Sequence, residues 1–214
     1  AKDIKTFKKI GFTVLNQKDK TKNSFKDFVI AEDILELANP NIIHLFNNYI
    51  NNSFPEIKKI RLSKQNKDVI ADNFRILQGG EIVENVIPWI LKNKPKISPE
   101  INNRIEMAIK ITKDEINQAV KFRENLKKEI ELTLPEGLIA LFPTTPFSSP
   151  KCGQSDEQLS SYRKKLMEFT SIAGMTSRPQ ISIPKFKDNT GPIGISLLGW
   201  RYSDEVLLEN ITNL

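Results

Sequence analysis

Between Phe25 and Leu62 the chain passes from an apolar run through a helical pattern to a second apolar run. Phe25 to Ala31 (FKDFVIA) is a short apolar block with two β-branched members, Val29 and Ile30. Asn39-Pro40 then opens a segment with Ile42, Ile43, Phe46, Tyr49 and Ile50 at helical spacing, and Ile57 to Leu62 (IKKIRL) follows Phe54-Pro55. Asn is a favoured N-cap, and Pro is favoured at the first helical position because the N–H it lacks would have no partner there. Strand, helix and strand in so short a span predict a βαβ unit, with parallel strands joined by a right-handed crossover. The expected class is therefore α/β.

The pattern from Asp68 to Leu91 is helical, through Val69, Phe74, Leu77, Ile82, Val86 and Ile90, with Gly79-Gly80 weakening it and Pro88 predicted to kink or end it. A polar link at Lys92 to Ile97 leads to Ser98-Pro99-Glu100, a helix start. The stripe Ile101, Ile105, Ala108, Ile116, Ala119, Phe122, Leu126 and Ile130 runs on from it, with a capping box at Thr112 to Glu115 predicting a restart. Near residue 134 charged helices give way to Pro, Gly, Ser and short apolar runs. Leu138 to Phe142 (LIALF) reads as a strand covered on both faces and stopped by Pro143. A short helix is expected over Tyr162 to Ile172, ending at Gly174, then strands at Gln180 to Ile183 and Ile193 to Leu198. Ser203-Asp204-Glu205 opens a last helix.

Composition narrows the functional classes. A chain of 214 residues with 39% apolar and 27% charged residues can bury a core and is not expected to be disordered. The net charge of +6 is spread along the chain, and runs such as Lys58-Lys59 and Lys127-Lys128 sit beside apolar residues, as on solvated faces. Nucleic acid is therefore not an expected partner. No apolar stretch is long enough for a membrane span, and no membrane partner is expected. Cys152 is the single cysteine, which excludes an intrachain disulfide and favours a reducing, cytoplasmic setting. The absence of an initiator Met at Ala1 points to a truncated or processed chain.

Five segments carry a resemblance: FRILQGGEIVENVIPWI, ISPEINNRIEMAIKIT, LIALFPTTPFSSP, FTSIAGMTSRPQISIP and GPIGISLLGWRYSDEVLL. In this order they resemble the carboxy-terminal half of amidase-signature enzymes, with the indole-acetamide hydrolase-like amidases as the nearest flavour. The specific part is a strand ending in Pro-Thr-x-Pro, a helix ending in Ala-Gly-x-x-x-x-Pro, a strand ending in Ile-Pro, and Gly-Pro-x-Gly opening a strand before an acidic helix. The resemblance implies part of a mixed β-sheet flanked by helices in a three-layer α/β/α arrangement. It also implies that residues 1–214 are the carboxy-terminal part of a single amidase domain, with a βαβ unit and long helices over 1–133 and strand-rich motifs over 134–214.

The same resemblance implies hydrolysis of a carboxamide to a carboxylic acid and ammonia, without a cofactor or metal. In that family a serine is activated by a second serine and a lysine, because a hydroxyl is a weak nucleophile until a base takes its proton, and fixed donors hold the oxyanion. The Gly-Ser-Ser-Gly-type segment and its upstream lysine are not found in this sequence. Ser148-Ser149 and Ser160-Ser161 lack flanking glycines and read as loop and helix serines. Cys152, His44 and the helical trio Asp72, Glu81 and Glu84 likewise lack partners for catalysis or metal binding. No catalytic residue is assigned within the chain, and alone it is expected to be inactive. Its expected contribution is pocket wall, from Pro143, Thr144, Thr145 and Phe147 in one loop and Thr170, Ile172, Ala173 and Gly174 at a helix end. Expected partners are an amino-terminal half bearing the catalytic residues, in cis or as a separate chain, and a small amide; an unpaired sheet edge would also favour self-association. The competing expectation is a non-catalytic subunit or truncated homologue acting as an assembly module, including a glutaminase-type amidotransferase subunit.

Overall fold

A computed structural model describes residue 1, residues 3–15 and residues 25–213. Its centre is a mixed five-stranded sheet, built from β1 (Asp27–Ala31), β2 (Lys58–Ile60), β3 (Leu138–Pro143), β4 (Gln180–Asp188) and β5 (Gly191–Leu198), in the order β2-β1-β3-β5-β4. The parallel pairing predicted from the first apolar runs is present: Val29 stands opposite Lys58 and Ala31 opposite Ile60. β1 also pairs in parallel with β3, while β5 runs antiparallel to both β3 and β4. β4 and β5 form one hairpin, longer than the two separate short strands expected. Its added length is mostly polar and exposed apart from the part-buried Phe186, so hydrophobic periodicity did not reveal it. The two outer strands carry exposed lysines, Lys58 and Lys59 on β2 and Lys185 and Lys187 on β4, a placement that discourages edge-to-edge pairing.

Period-two alternation assigns each strand side chain to a layer. Phe28 and Ile30 of β1, Ile139 and Leu141 of β3, and Ile195 and Leu197 of β5 share one apolar cluster. Against them pack α1 (Ile4–Val14), α3 (Pro40–Ser53) and α9 (Asp204–Asn210), through Phe7, Phe46 and Leu207. Val29, Ala31, Ala140, Phe142 and Leu198 point the other way, into a second cluster. It is closed by α4 (Lys67–Asn85) through Ile70, by α7 (Lys113–Thr133) through Leu126 and Ile130, and by α8 (Asp156–Thr176) through Phe169, Ile172 and Met175. The result is the three-layer α/β/α arrangement. Both faces of β1 and β3 are apolar because both are covered.

Local signals set most helix limits. α4 stops at Asn85, and Pro88 lies in the first turn of α5 (Ile87–Asn93). The break thus falls ahead of the proline, where its missing N–H costs nothing. α6 (Pro99–Ile109) ends before Thr112, whose side chain accepts from the Glu115 N–H while Glu115 bonds back, a complete capping box. A second box, Ser155 with Gln158, starts α8 six residues ahead of Tyr162, the expected start. At its other end α8 runs past Gly174 and stops at Ser177, which takes the left-handed conformation. Gly174 serves a different purpose: a Cβ there would lie 2.8 Å from the Phe74 ring, so glycine permits α4 and α8 to approach closely.

The crossover following β1 is pinned by a buried ion pair that periodicity did not reveal. Asp33 lies in α2 (Glu32–Leu35), and its carboxylate stands 2.6 Å from Lys67 Nζ. It also accepts the N–H groups of Leu62 at 2.9 Å and Ser63 at 3.2 Å. Lys67 donates further to the carbonyls of Ser63 and Gln65. Every charged atom of the pair has a partner, the condition under which such burial is tolerated.

Candidate functional site

The loop leaving β3 is organised by hydroxyl groups. Pro143 closes β3 opposite Ile195, and the Thr144 N–H donates to the Gly194 carbonyl at 2.8 Å. Thr144 Oγ1 lies 2.7 Å from Ser182 Oγ and accepts from Ser196 Oγ at 3.1 Å, while Gln180 Nε2 donates to Ser196 Oγ at 2.8 Å. Ser182 and Ser196 are register partners across the hairpin, so β4 and β5 present their hydroxyls side by side. Gly194 makes the cluster geometrically possible, because a Cβ at that position would fall 2.6 Å from both Ser182 Oγ and Thr144 Oγ1. None of Thr144, Gln180, Ser182 and Ser196 is a base, and each hydroxyl is engaged with its neighbours. The cluster can fix the loop, but it holds nothing to take a proton from a nucleophile.

Beyond Thr144 the loop folds back on itself and onto two helices. Thr145 Oγ1 donates to the Phe147 carbonyl at 2.8 Å, and the Pro146 carbonyl accepts the Asn39 N–H at 2.7 Å, at the start of α3. Phe147 packs edge-on against Tyr162 of α8, centroids 4.7 Å apart, and Phe142 meets Phe169 at 5.9 Å. Ser148 Oγ donates to the Asp188 carboxylate at the hairpin tip, which also accepts from Thr190 and Gly191. The Ser148 hydroxyl, followed by the Thr190 hydroxyl and amide, holds the Asp188 carboxyl down at about 2.

The second group of sequence-predicted residues is dispersed. Thr170 is exposed and bonds its own helix through the Leu166 carbonyl, Ile172 is buried in the core, and Ala173 is half-buried against it. Gly174 borders a small cleft with Phe74 and Leu77 of α4 and Arg123 of α7. Tyr162, where the β3 loop touches α8, and Gly174 are separated by about 18 Å along the helix axis. The β3 loop therefore meets α8 about three turns ahead of Gly174.

The decoy groups have ordinary surroundings. Ser149, Ser160 and Ser161 are exposed, as is Cys152. His44 is exposed with Asn48 at 3.0 Å, and Asp72, Glu81 and Glu84 lie on the solvated side of α4. Among the described residues no three candidate ligands gather into a metal site, and no helix is long and apolar enough to cross a membrane. Gly194 is readable in the sequence as room for a close neighbour beside the strand, whereas Gln180, Ser182 and Ser196 were missed by sequence reasoning. The signal present was a serine between apolar neighbours, buried at Ser196 (Ile-Ser-Leu) and exposed at Ser182 (Ile-Ser-Ile).

Comparison with known proteins places this geometry. A family model described as Amidase matches residues 7–208. Amidase 1 of Arabidopsis thaliana is 24% identical over an alignment 246 residues long, gaps included, spanning 100% of this chain and 58% of that protein. A glutamyl-tRNA(Gln) amidotransferase subunit of Thermotoga maritima is 31% identical over 88 residues, covering 41% of this chain and 18% of that one. A solved structure described as crystal structure of amidase superposes with a TM-score of 0.81 at 15% identity, over 97% of this chain and 49% of the other. At that identity the likeness is one of fold. The chain spans about half the length of these full-coverage relatives.

Proposed function

The chain belongs to the amidase family, and on that premise we propose that it is the carboxy-terminal part of an enzyme that hydrolyses a carboxamide to a carboxylic acid and ammonia. The observation that carries the reading is the family match over residues 7–208, whose motif segments become β3, α8 and the β4–β5 hairpin in their required order. The nucleophilic serine, its serine partner and the lysine base belong to polypeptide outside residues 1–214. Within the chain, the hydroxyl cluster around Thr144 lacks a base, and Ser148 is committed to Asp188, which supports that division. Residues 1–214 then supply sheet, core and pocket wall, with Pro143, Thr144, Thr145 and Phe147 nearest the mouth of the sheet. The similarity to a glutamyl-tRNA(Gln) amidotransferase subunit favours a second reading, in which the amide is that of glutamine and the ammonia passes to another acceptor.

The test is ammonia release from acetamide, indole-3-acetamide and glutamine, measured for residues 1–214 alone and for the continuous gene product with its preceding sequence. The proposal expects no turnover by the 214 residues and turnover by the longer polypeptide. Preference for glutamine selects the second reading. Turnover by residues 1–214 alone, or none by the longer polypeptide on any amide, overturns the proposal.

A further inference from the structure

At the end of the sheet opposite the Thr144 loop, where β3 begins and β5 ends, a cavity of about 340 Å³ opens between Glu131, Glu136, Arg178, Trp200, Arg201 and Tyr202. Its charge distribution is uneven in depth. Arg178 is 5% exposed, whereas both glutamates are exposed at the rim. The Arg178 guanidinium donates to two main-chain carbonyls, Gly199 through Nη1 at 3.0 Å and Ile130 through Nη2 at 3.2 Å. Its Nε has no partner, and among the described residues no carboxylate oxygen stands within 4.0 Å of it. Burial pulls the guanidinium down to about 10, with the charge of Glu131 opposing the shift and repulsion from Arg201 adding to it, so the buried positive charge is only partly offset.

Arg201 repeats the pattern nearer the surface. Its Nε is also buried without a partner, Nη1 stands 3.6 Å from Glu131 Oε1, and Nη2 donates to Tyr202 Oη at 3.2 Å. The guanidinium lies over the Tyr202 ring, 5.2 Å from its centroid. Tyr202 adopts φ 66° and is 82% exposed, an aromatic residue displayed on a left-handed turn at the cavity rim. Non-glycine residues rarely take that conformation, and where they do the strain gathers at ligand clamps and turns.

We propose that this cavity binds a small carboxylate with a flat apolar body, its anionic head compensating Arg178 and Arg201 and its body resting against Trp200 and Tyr202. Two guanidinium groups at different depths supply the charge and the planar donors that carboxylates favour. Glu131, half-exposed beside Arg201, is the group such a head would displace. The site uses none of the residues assigned to amide hydrolysis, so it stands or falls by binding alone.

Trp200 in the wall gives the readout. Benzoate is titrated against the full 214-residue chain in a Trp89→Phe background, which removes the exposed tryptophan on α5, with benzamide as the uncharged isostere. The expected result is a saturable change in Trp200 fluorescence with benzoate and at least about tenfold weaker binding of benzamide, a difference of about 1.4 kcal/mol. Arg201→Gln, on the half-exposed arginine, is expected to weaken benzoate by about tenfold or more while leaving the far-ultraviolet circular dichroism unchanged. Tyr202→Ala, at an exposed position, provides an independent variant with the same expected direction. Absence of saturation, equal binding of benzoate and benzamide, or folded Arg201→Gln and Tyr202→Ala variants that bind as the parent does would overturn the proposal.

Discussion

Replacing Asp33 by alanine removes one half of the ion pair that ties α2 to the start of α4. The two side chains are 2% and 7% exposed, so almost no water is available to take over the lost interactions. Lys67 would keep only the Ser63 and Gln65 carbonyls, at 3.3 Å and 3.2 Å, and the N–H groups of Leu62 and Ser63 would lose their acceptor. Breaking a buried pair from one side costs about 3–5 kcal/mol, because the surviving charge is left uncompensated. A domain of this kind has a total stability of about 5–15 kcal/mol, so the loss is a large fraction of it. It corresponds to a fall in Tm of about 6–20 °C. Urea denaturation followed by circular dichroism measures it directly. Asp33→Ala combined with Lys67→Met removes both charges, and should be more stable than the sum of the single losses predicts. A loss below about 1 kcal/mol for Asp33→Ala, or strict additivity in the double variant, would mean that the pair does not hold the crossover in place.

Thr112→Ala removes the capping hydroxyl of α7 and should cost about 1 kcal/mol in the same denaturation experiment, with Thr112→Ser retaining most of it. Asp188 is depressed from 3.8 to about 2, so its contribution is complete above about 3.8 and lost as pH falls through about 2. Thermal melts between those pH values should therefore fall less steeply for Asp188→Asn than for the parent, and equal slopes would count against the Ser148–Asp188 link. Gly194→Ala forces a methyl group into the Thr144–Ser182 contact and should lower Tm. Combining it with Thr144→Ser, which deletes no hydroxyl, should not restore the loss, whereas Ser182→Gly should restore part of it.

The fold was legible where burial and chain order act together. Leu138 to Phe142 reads as a strand covered on both faces, and Asn39-Pro40 marks the helix that follows β1. The Thr112 box and the block at Pro88 were likewise written locally. Asp33 and Lys67 were not legible, since a salt bridge across thirty-odd residues has no periodic signature and each residue alone looks like surface. α8 was read short because its first turns are exposed and polar, and its stop was misplaced because Gly174 fits a close helix contact as well as it fits a terminus. The hydroxyl cluster was only half visible. Thr144 was picked out by its place after a buried strand, while Ser182 and Ser196 meet it only through hairpin register.

Whether these 214 residues form the non-catalytic portion of an amide hydrolase is decided by where the reactive serine lies. Labelling the continuous gene product with a serine-directed sulfonyl fluoride, followed by peptide mass spectrometry, locates it. The expected result is stoichiometric modification, parallel to loss of ammonia release, at a serine outside residues 1–214. Modification at Ser148, Ser149, Ser160 or Ser161, with the same loss of activity, would put the nucleophile inside the chain and overturn the proposed division of labour.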